Sequence, residues 1–272
     1  MKSFDIMSDI HLDFWVPMDH NIIKLEKKTK LFAESLIPDN PSRILIIPGD
    51  LGHYNLQNYW CLQHLSSVYD YIFLVFGNHD FYLENSNQKK KYKRNSNNRI
   101  SEIKNMTRHL GNVFHLEGKG TSVEIDRVHY GGTGMWYDFQ YGQQVQGFNK
   151  DEVRCIWANN SNDYKKINGF LTLDKFEEEK TQLEEVIGSL DVVITHVGPT
   201  WDLSPYKEDE SKHNSYYFFD GKEFINSRKE RIWCFGHVHM ELDKRVGNTR
   251  FISHALGYPD EGKHKKFKQV YF

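Results

Sequence analysis

Cysteine is scarce in this sequence, and long apolar runs are absent from it. Only three cysteines occur in 272 residues, and they lie far apart at Cys61, Cys155 and Cys234. An odd, scattered set argues against a disulfide framework and a thiolate zinc site, so we expect three buried, reduced thiols. No stretch approaches the roughly 18 apolar residues that span a bilayer, which argues against a transmembrane helix.

The first residues contain no apolar run, and neither sign of charge is in excess. Asp5 and Asp9 interrupt the N-terminus where a signal peptide requires an apolar run, so we expect a cytoplasmic protein with no membrane partner. The chain has 35 Lys and Arg residues against 37 Asp and Glu residues, a formal net charge of -2. That balance argues against a broadly basic nucleic-acid-binding protein, although it leaves a local basic patch open.

The sequence does contain an alternation of short apolar runs and amphipathic segments. Five runs are mostly β-branched or aromatic and end at a glycine or a polar cluster, which predicts buried strands. They are Lys2–Met7, Arg43–Pro48, Tyr71–Phe76, Asp191–Thr195 and Arg231–Phe235. Between them, Ile22–Ile37 and Asp174–Ile187 predict helices, the second with Asp174 as its cap. Strands that alternate with helices indicate an α/β fold.

Three further segments complete this organisation. Met240–Val246 and Thr249–Ser253 flank Gly247-Asn248 and predict a hairpin, which makes the sheet system mixed rather than purely parallel. The polar segments Glu84–Asn98 and Pro199–Asn214 predict surface loops or a small cap. Because neither an internal repeat nor a linker interrupts the chain, we expect a single domain over residues 1–272.

Polar residues follow all five predicted strands. In an open α/β sheet, ligands bind beyond the carboxyl ends of the strands, so we expect these residues to meet in one crevice. Carboxylate and amide oxygens together with imidazole nitrogens suit first-row divalent metals. In chain order, the clusters are Asp9-Ile10-His11, Gly49-Asp50, Gly77-Asn78-His79-Asp80, His196 and Gly236-His237-Val238-His239.

The number of ligands fits two metal ions. One set of side chains can hold the first ion and another set the second, and Asp50 can bridge the two ions with its two oxygens. Two divalent ions about 3.5–4 Å apart can deprotonate a bridging water near neutral pH, and the resulting hydroxide attacks a phosphate ester in line. The first set is Asp9, His11 and His239, and the second is Asn78, His196 and His237.

His79 remains beside this site without a ligand role. It can protonate the leaving oxygen or stabilise charge in the transition state, and we group Asp80 of the same motif with it as catalytic. Each cluster taken alone has an ordinary interpretation, such as a polar loop or a turn. Their joint occurrence after five strands, with no ligand missing, predicts the dinuclear site.

The order of these motifs, DxH, GD, GNH(D/E), H and GHxH, resembles that of the calcineurin-like metallophosphoesterase superfamily. The resemblance covers roughly residues 4–259 and is greatest to small bacterial and phage members. Those members also carry elements like Gly131–Phe139, Asn162-Asp163-Tyr164 and Gly257-Tyr258-Pro259. The resemblance implies a four-layer sandwich, in which two mixed sheets pack face to face with helices outside. It also implies the same metal ligands and His79 as the catalytic histidine.

The sequence departs from the protein Ser/Thr phosphatases of this superfamily after Asp50. Those enzymes continue with a second Asp three residues on and then an Arg, whereas His53 and Tyr54 stand at these positions here. Asp80 also stands where they carry Glu. Both differences argue against a protein phosphatase. Val197 stands where related small members usually have a second His.

These features predict a metal-dependent phosphoesterase, in the first place a phosphodiesterase acting on a nucleotide or cyclic nucleotide. The alternatives are a phosphomonoesterase and a nuclease whose backbone contacts come from the basic run Lys89–Arg94, which is otherwise a solvated loop. A catalytically silent scaffold ranks last, because such a protein is expected to have lost ligands or His79. Manganese is the first expectation for the metal, with iron, zinc and nickel as alternatives.

Four further side chains are candidates for substrate binding. His53 follows Asp50 by three residues and can contact either a metal ligand or the phosphate. His254 follows the last predicted strand of the hairpin and can flank the site. Trp136 and Tyr137 belong either to the core or to a platform on which a base stacks.

Overall fold

Strands and helices are interspersed along the chain in a computed structural model that describes residues 2–118, 122–205, 211–225, 229–261 and 265–272. The strands in these ranges are β1 (Ser3–Ile6), β2 (Ile44–Pro48), β3 (Tyr71–Val75), β4 (Val113–His115), β5 (Val123–Ile125), β6 (Val128–Gly132), β7 (Val192–Ile194), β8 (Arg231–Phe235), β9 (Glu241–Val246), β10 (Thr249–His254) and β11 (Lys268–Tyr271). The α-helices are α1 (Leu12–Trp15), α2 (Ile22–Leu36), α3 (Asn55–Leu65), α4 (Ser86–Lys91), α5 (Ser96–Thr107), α6 (Gln140–Gln144), α7 (Lys150–Asn160), α8 (Asn162–Lys166), α9 (Thr172–Ile187) and α10 (Lys222–Ile225). Short 3-10 helices span Asn78–Phe81, Trp201–Leu203, Lys212–Tyr216 and Pro259–Glu261.

The strands form two mixed sheets. Sheet I has the order β11-β1-β2-β3-β4, in which β1 to β4 are parallel and β11 is an antiparallel edge. Sheet II has the order β5-β6-β7-β8-β10-β9, in which the four inner strands are parallel and both edges are antiparallel. The expected pair of mixed sheets is therefore confirmed.

Alternate residues of the strands belong to two different apolar cores. In β2, Ile46 packs in the core between the sheets, whereas Ile47 belongs to a core shared with helix residues such as Leu36 of α2. This alternation follows from the two-residue period of a strand. Phe73 of β3 stacks on Tyr130 of β6 with ring centroids 4.9 Å apart, which joins the sheets. The layers are therefore helix, sheet, sheet and helix.

Most predicted elements are confirmed. The five strands differ from their expected ends by at most one residue, and the helix from Ile22 ends at Leu36. In the predicted hairpin, Val246 pairs with Thr249 across the two-residue turn. Gly247 in that turn has φ +57, a left-handed conformation that costs glycine little.

Two smaller expectations were wrong. Helix α9 begins at Thr172, so Asp174 lies in the first turn instead of capping the helix. A carboxylate there still interacts favourably with the helix N-terminus. Cys155 is exposed on α7, so only Cys61 and Cys234 are the expected buried thiols.

The first polar segment, Glu84–Asn98, is largely helical instead of a loop. Asn85 accepts a hydrogen bond from the backbone of Gln88 at 3.0 Å and caps α4, and Asn95 caps α5 in the same way. Of the second segment, residues 206–210 lie outside the described part of the chain. Among the described helices, none has the length and apolar character needed to cross a bilayer.

Candidate metal centre

The five polar clusters lie together where the carboxyl ends of the two sheets meet. Sheet I supplies the clusters that follow β1, β2 and β3, and sheet II supplies those that follow β7 and β8. A parallel bridge between Ser8 and Ala255 joins the sheets at this place. In it, the amide of Ser8 donates to the His254 carbonyl and the amide of Leu256 donates to the Ser8 carbonyl, both at 3.0 Å. The centre is therefore shared between the sheets.

The first group of ligand atoms surrounds the end of β1. The Nε2 atoms of His11 and His239 face each other at 3.0 Å. Asp9 Oδ1 lies 3.7 Å from His239 Nε2, and Asp50 Oδ2 lies 4.0 Å from His11 Nε2. Asp9, His11 and His239 each offer a ligand atom within 4.8 Å of the others, close enough to share one ion.

The second group of ligand atoms adjoins the first. Asn78 Oδ1 lies 3.0 Å from His196 Nε2 and 3.2 Å from His237 Nδ1. Asp50 Oδ2 lies 3.4 Å from His196 Nε2, so its carboxylate stands between the two groups. The structure thus brings all seven expected ligands together. Five of them are buried, His237 and His239 are half-buried, and their oxygen and imidazole donors fit a pair of first-row divalent ions.

Contacts behind the rings determine which nitrogen of three histidines faces the centre. Carbonyl and carboxylate oxygens only accept hydrogen bonds, so each holds a proton on the ring nitrogen that it contacts. The opposite nitrogen is then the one presented to a metal, an arrangement typical of metal-binding histidines. The contacts are His196 Nδ1 to Pro48 O at 2.8 Å, His237 Nε2 to Tyr216 O at 3.1 Å and His239 Nδ1 to Glu261 Oε1 at 2.6 Å.

The charged groups of the centre shift each other's pKa. Burial acts to raise the pKa of Asp50, but His196, His79 and His11 hold it well below its usual range. Burial acts to lower the pKa of His196, but Asp50 and Asp9 outweigh burial and raise it to about 10. Asp50 is therefore ionised, and an ion that binds His196 displaces a proton from it.

The backbone is strained where it presents several ligands. Asp9, His11, Asp50 and His237 have φ values of +51, +45, +57 and +69. Non-glycine residues rarely adopt this left-handed region, which costs of order 1 kcal/mol or more and is found mainly at functional sites. Gly77 allows a close approach beside them, because a Cβ there would overlap with Asp50 Oδ1.

His79 is backed by a chain of hydrogen bonds. Its Nδ1 lies 2.8 Å from Nε2 of His53, whose Nδ1 lies 2.9 Å from Asp13 Oδ2. Glu84 Oε1 lies 3.3 Å from the same Nε2 of His53. His53 is only 2% exposed, so it contacts His79 and does not belong to the described lining of the cavity. We define Asp13, His53 and His79 as the histidine relay.

Asp80 holds the loops that carry the ligands. Its carboxylate accepts backbone N–H bonds from Gly77 and Asp50 at 2.9 Å and from Leu51 at 3.2 Å. It is buried and is not among the described residues that line the cavity above the centre. Asp80, expected to be catalytic, thus lies behind the loops after β2 and β3 and away from a substrate.

Arg99 of α5 binds the same loops and was not found in the sequence. Its guanidinium, 1% exposed, donates to the carbonyls of His79 at 2.8 Å and Tyr82 at 3.3 Å, and also to those of Asp80 and Gly52. A basic residue inside a polar helix gives no sign in the sequence that it is buried.

Arg99→Ala is expected to lower the free energy of unfolding by about 3 kcal/mol or more. It leaves buried carbonyl groups unpaired, at about 1–3 kcal/mol each. Urea unfolding measures the loss, with Arg108→Ala at the exposed end of the same helix as a control expected to stay within about 0.5 kcal/mol of the wild type. Equal stability of the two variants would contradict this role of Arg99.

A cavity of about 610 Å³ opens onto the centre, a size typical of small-molecule sites. Besides metal ligands and His79, its described lining is polar or aromatic apart from Val238, and it includes neither Lys nor Arg. The aromatic lining residues are Tyr82, Tyr216, Tyr217 and Tyr258, and the others include Asn160, Ser161, Asn162, Asp163, His213 and Glu261.

The four expected substrate contacts do not belong to this lining. Trp136 and Tyr137 are 1% and 0% exposed. Both therefore belong to the core, and neither forms a platform on which a base could stack. His254 is buried, with Nε2 3.1 Å from the Lys266 carbonyl, and His53 contacts His79. Of the tyrosines that do line the cavity, Tyr258 belongs to the Gly257-Tyr258-Pro259 element, whereas the sequence offered no signal for Tyr216 and Tyr217.

Comparison with known proteins agrees with this fold. Residues 2–241 match the family described as calcineurin-like phosphoesterase. An uncharacterized protein of Acanthamoeba polyphaga mimivirus is 24% identical over 280 residues, 96% of this chain and 93% of that relative. The crystal structure of phosphopantetheinyl hydrolase from Mycobacterium tuberculosis aligns with a TM-score of 0.70 and 18% identity over 99% of this chain and 95% of that one. It shares the fold. The chain belongs to the calcineurin-like phosphoesterases and is a hydrolase of phosphoric esters.

Proposed function

We propose that this chain is a dinuclear metal-dependent phosphodiesterase that acts on a small nucleotide or cyclic nucleotide. The observation that carries the proposal is the position of the Asp50 carboxylate between two adjacent groups of ligand atoms. Asp9, His11 and His239 would hold one ion, Asn78, His196 and His237 would hold the other, and Asp50 would be a ligand shared by both. Two divalent ions bound there would supply an activated water and stabilise charge on the phosphoryl oxygens. Manganese is the proposed metal, and iron, zinc and nickel also suit these donors.

The histidine relay delivers a proton to the leaving oxygen. Asp13 only accepts, so it holds a proton on Nδ1 of His53. When His53 also carries a proton on Nε2, it donates that proton to Nδ1 of His79, and His79 keeps its own proton on Nε2. His79 passes the Nε2 proton to the leaving oxygen while Nδ1 takes up the proton from His53. Asp80 and Arg99 hold the loops in which these groups stand.

The charge of the cavity supports a diester substrate. Apart from the metal ligands, the lining carries the carboxylates of Asp163 and Glu261 and contains neither Lys nor Arg among the described residues. A phosphodiester carries one negative charge, whereas a monoester carries nearly two at pH 7. Outside the metal centre, the described lining offers no Lys or Arg to pair with the second charge of a monoester. Tyr216 and Tyr217 offer rings on which a base can stack.

The position of the basic run supports a small substrate over nucleic acid. Lys89–Arg94 lies on α4 and the residues after it, and none of it lines the cavity. Lys91 Nζ lies 2.7 Å from a carboxylate oxygen of Glu102, which neutralises part of the run. A nucleic-acid strand that binds this basic run and extends to the metal centre would meet no Lys or Arg along the described lining.

The manganese-loaded protein is expected to hydrolyse diesters with a higher kcat/KM than phosphoserine peptides. The test is a panel of chromogenic mono- and diesters, cyclic nucleotides, short oligonucleotides, a phosphoserine peptide and a phosphopantetheinyl ester. Efficient phosphopeptide hydrolysis with negligible diester turnover would reverse the ranking. Salt dependence distinguishes a nuclease from an enzyme that acts on small diesters. A nuclease with about 6–10 phosphate contacts loses about 10³–10⁵ in affinity between about 50 and 200 mM salt. Turnover of a small diester is expected to change little over that range.

A further inference from the structure

The side chain of Asn78 can serve the metal centre in only one of its two orientations. Its amide has an oxygen, which is a ligand atom, and an NH₂ group of similar size, which is a donor. Oδ1 is the end that faces His196 and His237, at 3.0 and 3.2 Å. The χ2 torsion of asparagine is broad and roughly two-fold, so it does not select between the two ends. Neighbouring groups have to make that selection.

Asp163 contacts the opposite end of the same amide. Asn78 Nδ2 donates to Asp163 Oδ1 at 2.8 Å and to the hydroxyl of Tyr82 at 3.1 Å. A carboxylate only accepts hydrogen bonds, so the amide oxygen cannot take this place without facing another oxygen. Asp163 is 3% exposed, and the metal-binding histidines do not contact it through any described hydrogen bond.

Asp163 is itself held in place. The hydroxyl of Tyr82 donates to its Oδ1, and that of Tyr137 donates to its Oδ2 at 2.6 Å. Its own amide donates to Ser161 Oγ at 3.0 Å, at the start of α8. Trp157 of α7 donates from Nε1 to the Tyr137 hydroxyl at 2.5 Å. A buried network rooted in α7 and α8 therefore ends at the Asn78 amide.

We infer that Asp163 is a positioning residue that fixes the Asn78 amide with Oδ1 toward the second metal ion. The inference rests on the proposed dinuclear site and gives Asp163 no chemical step. It explains the Asn162-Asp163-Tyr164 segment, which the ligand set alone leaves without a role. The predicted consequence is selective for the ion held by Asn78, His196 and His237.

An exchange of the two functional groups tests this inference. Asp163→Asn replaces a carboxylate that only accepts with an amide that can either accept or donate, so the Asn78 amide is no longer restricted to one orientation, whereas Asn78→Asp places a second carboxylate against Asp163. Each single variant is expected to weaken binding of the second manganese ion by about 10- to 100-fold, the usual loss when a metal ligand loses its supporting partner. Titration calorimetry with Mn²⁺, together with elemental analysis after desalting, measures affinity and stoichiometry without reference to turnover. Binding of the first ion is expected to be unchanged.

The double variant Asn78→Asp/Asp163→Asn restores a donor facing an acceptor. The amide introduced at position 163 donates to one oxygen of the carboxylate introduced at position 78, whose other oxygen faces the centre. Most of the lost affinity for the second ion is therefore expected to return. A merely structural role of Asp163 predicts that the double variant is no better than either single one, and that result would overturn the inference.

The control is Asp138→Asn, in a neighbouring segment. The carboxylate of Asp138 accepts backbone N–H bonds from Gln140 and Asp220, both at 2.9 Å, and contacts no metal ligand through them. If Asp163→Asn binds two ions with the affinity of the wild type, the inference is refuted and the proposed function stands. If the wild-type chain itself binds fewer than two ions, both are refuted. If Asp163→Asn does not fold, Tyr137→Phe takes its place, and unchanged affinity for the second ion in that variant refutes the inference.

Discussion

Asp50→Asn is expected to lower kcat/KM on a diester by at least about 10³-fold. Its Oδ2 lies 3.4 Å from His196 Nε2 and 4.0 Å from His11 Nε2, so this side chain reaches both groups of ligand atoms. An amide offers one oxygen in place of two and carries no charge, which weakens the binding of both ions. A metal ion contributes several kcal/mol of charge stabilisation, and about 4 kcal/mol corresponds to about 10³-fold in rate.

Metal content separates this explanation from general damage to the protein. Elemental analysis is expected to find two equivalents of metal in the wild type and fewer in Asp50→Asn. Asp70→Asn, an exposed carboxylate paired with Arg43, is the matched control and is expected to keep both activity and metal. If Asp50→Asn kept most of its activity while His196→Ala abolished it, the bridging role of Asp50 would be wrong.

His79→Ala is expected to keep both ions and to lower turnover by about 10²–10⁴-fold, the usual contribution of a positioned proton donor. The loss is expected to be largest for substrates with basic leaving groups, because these need the proton most. A p-nitrophenolate group leaves as a stable anion, and its ester is expected to be partly spared. Kinetics on a series of diesters with different leaving groups, with the exposed His109→Ala as control, measures the trend.

Two results would contradict the role given to His79. A uniform loss along the series would mean that His79 acts on the phosphoryl oxygens and not as a proton donor. Loss of metal would mean that it is a ligand, and His79 does lie with His11 and Asp50 in a group whose ligand atoms are all within 4.8 Å. His53→Phe removes the ring nitrogen that lies 2.8 Å from His79 Nδ1 and so breaks the histidine relay. This variant is expected to show the same dependence on the leaving group, with a smaller loss of turnover.

The fold and the family could be predicted from the sequence because both depend on a local pattern. Each polar cluster follows an apolar strand, and parallel strands bring their carboxyl ends to one edge, so His196 and Asp50 meet although 146 residues separate them. The fold and the family are confirmed. Manganese, a single domain and a cytoplasmic location stay predictions.

The supporting residues could not be predicted, because nothing near them in the sequence marks their role. Asp163 contacts Asn78 across 85 positions, and Arg99 reaches the His79 carbonyl from a different helix. A buried carboxylate in a short polar helix looks like a solvated one until its partners are known. Trp136 was ambiguous for a related reason, since an aromatic residue after a strand can face a core or a cavity.

The division of the proposed centre between the two sheets would link the metal supply to the lifetime of the protein. His11 follows β1 in sheet I and His239 follows β8 in sheet II, so an ion held by both would join one sheet to the other. The unfolded chain does not hold these groups together, and free metal at about 100 times its Kd therefore adds about 2.7 kcal/mol to the free energy of unfolding. A cell short of metal would then lose this enzyme to proteolysis as well as to inactivity.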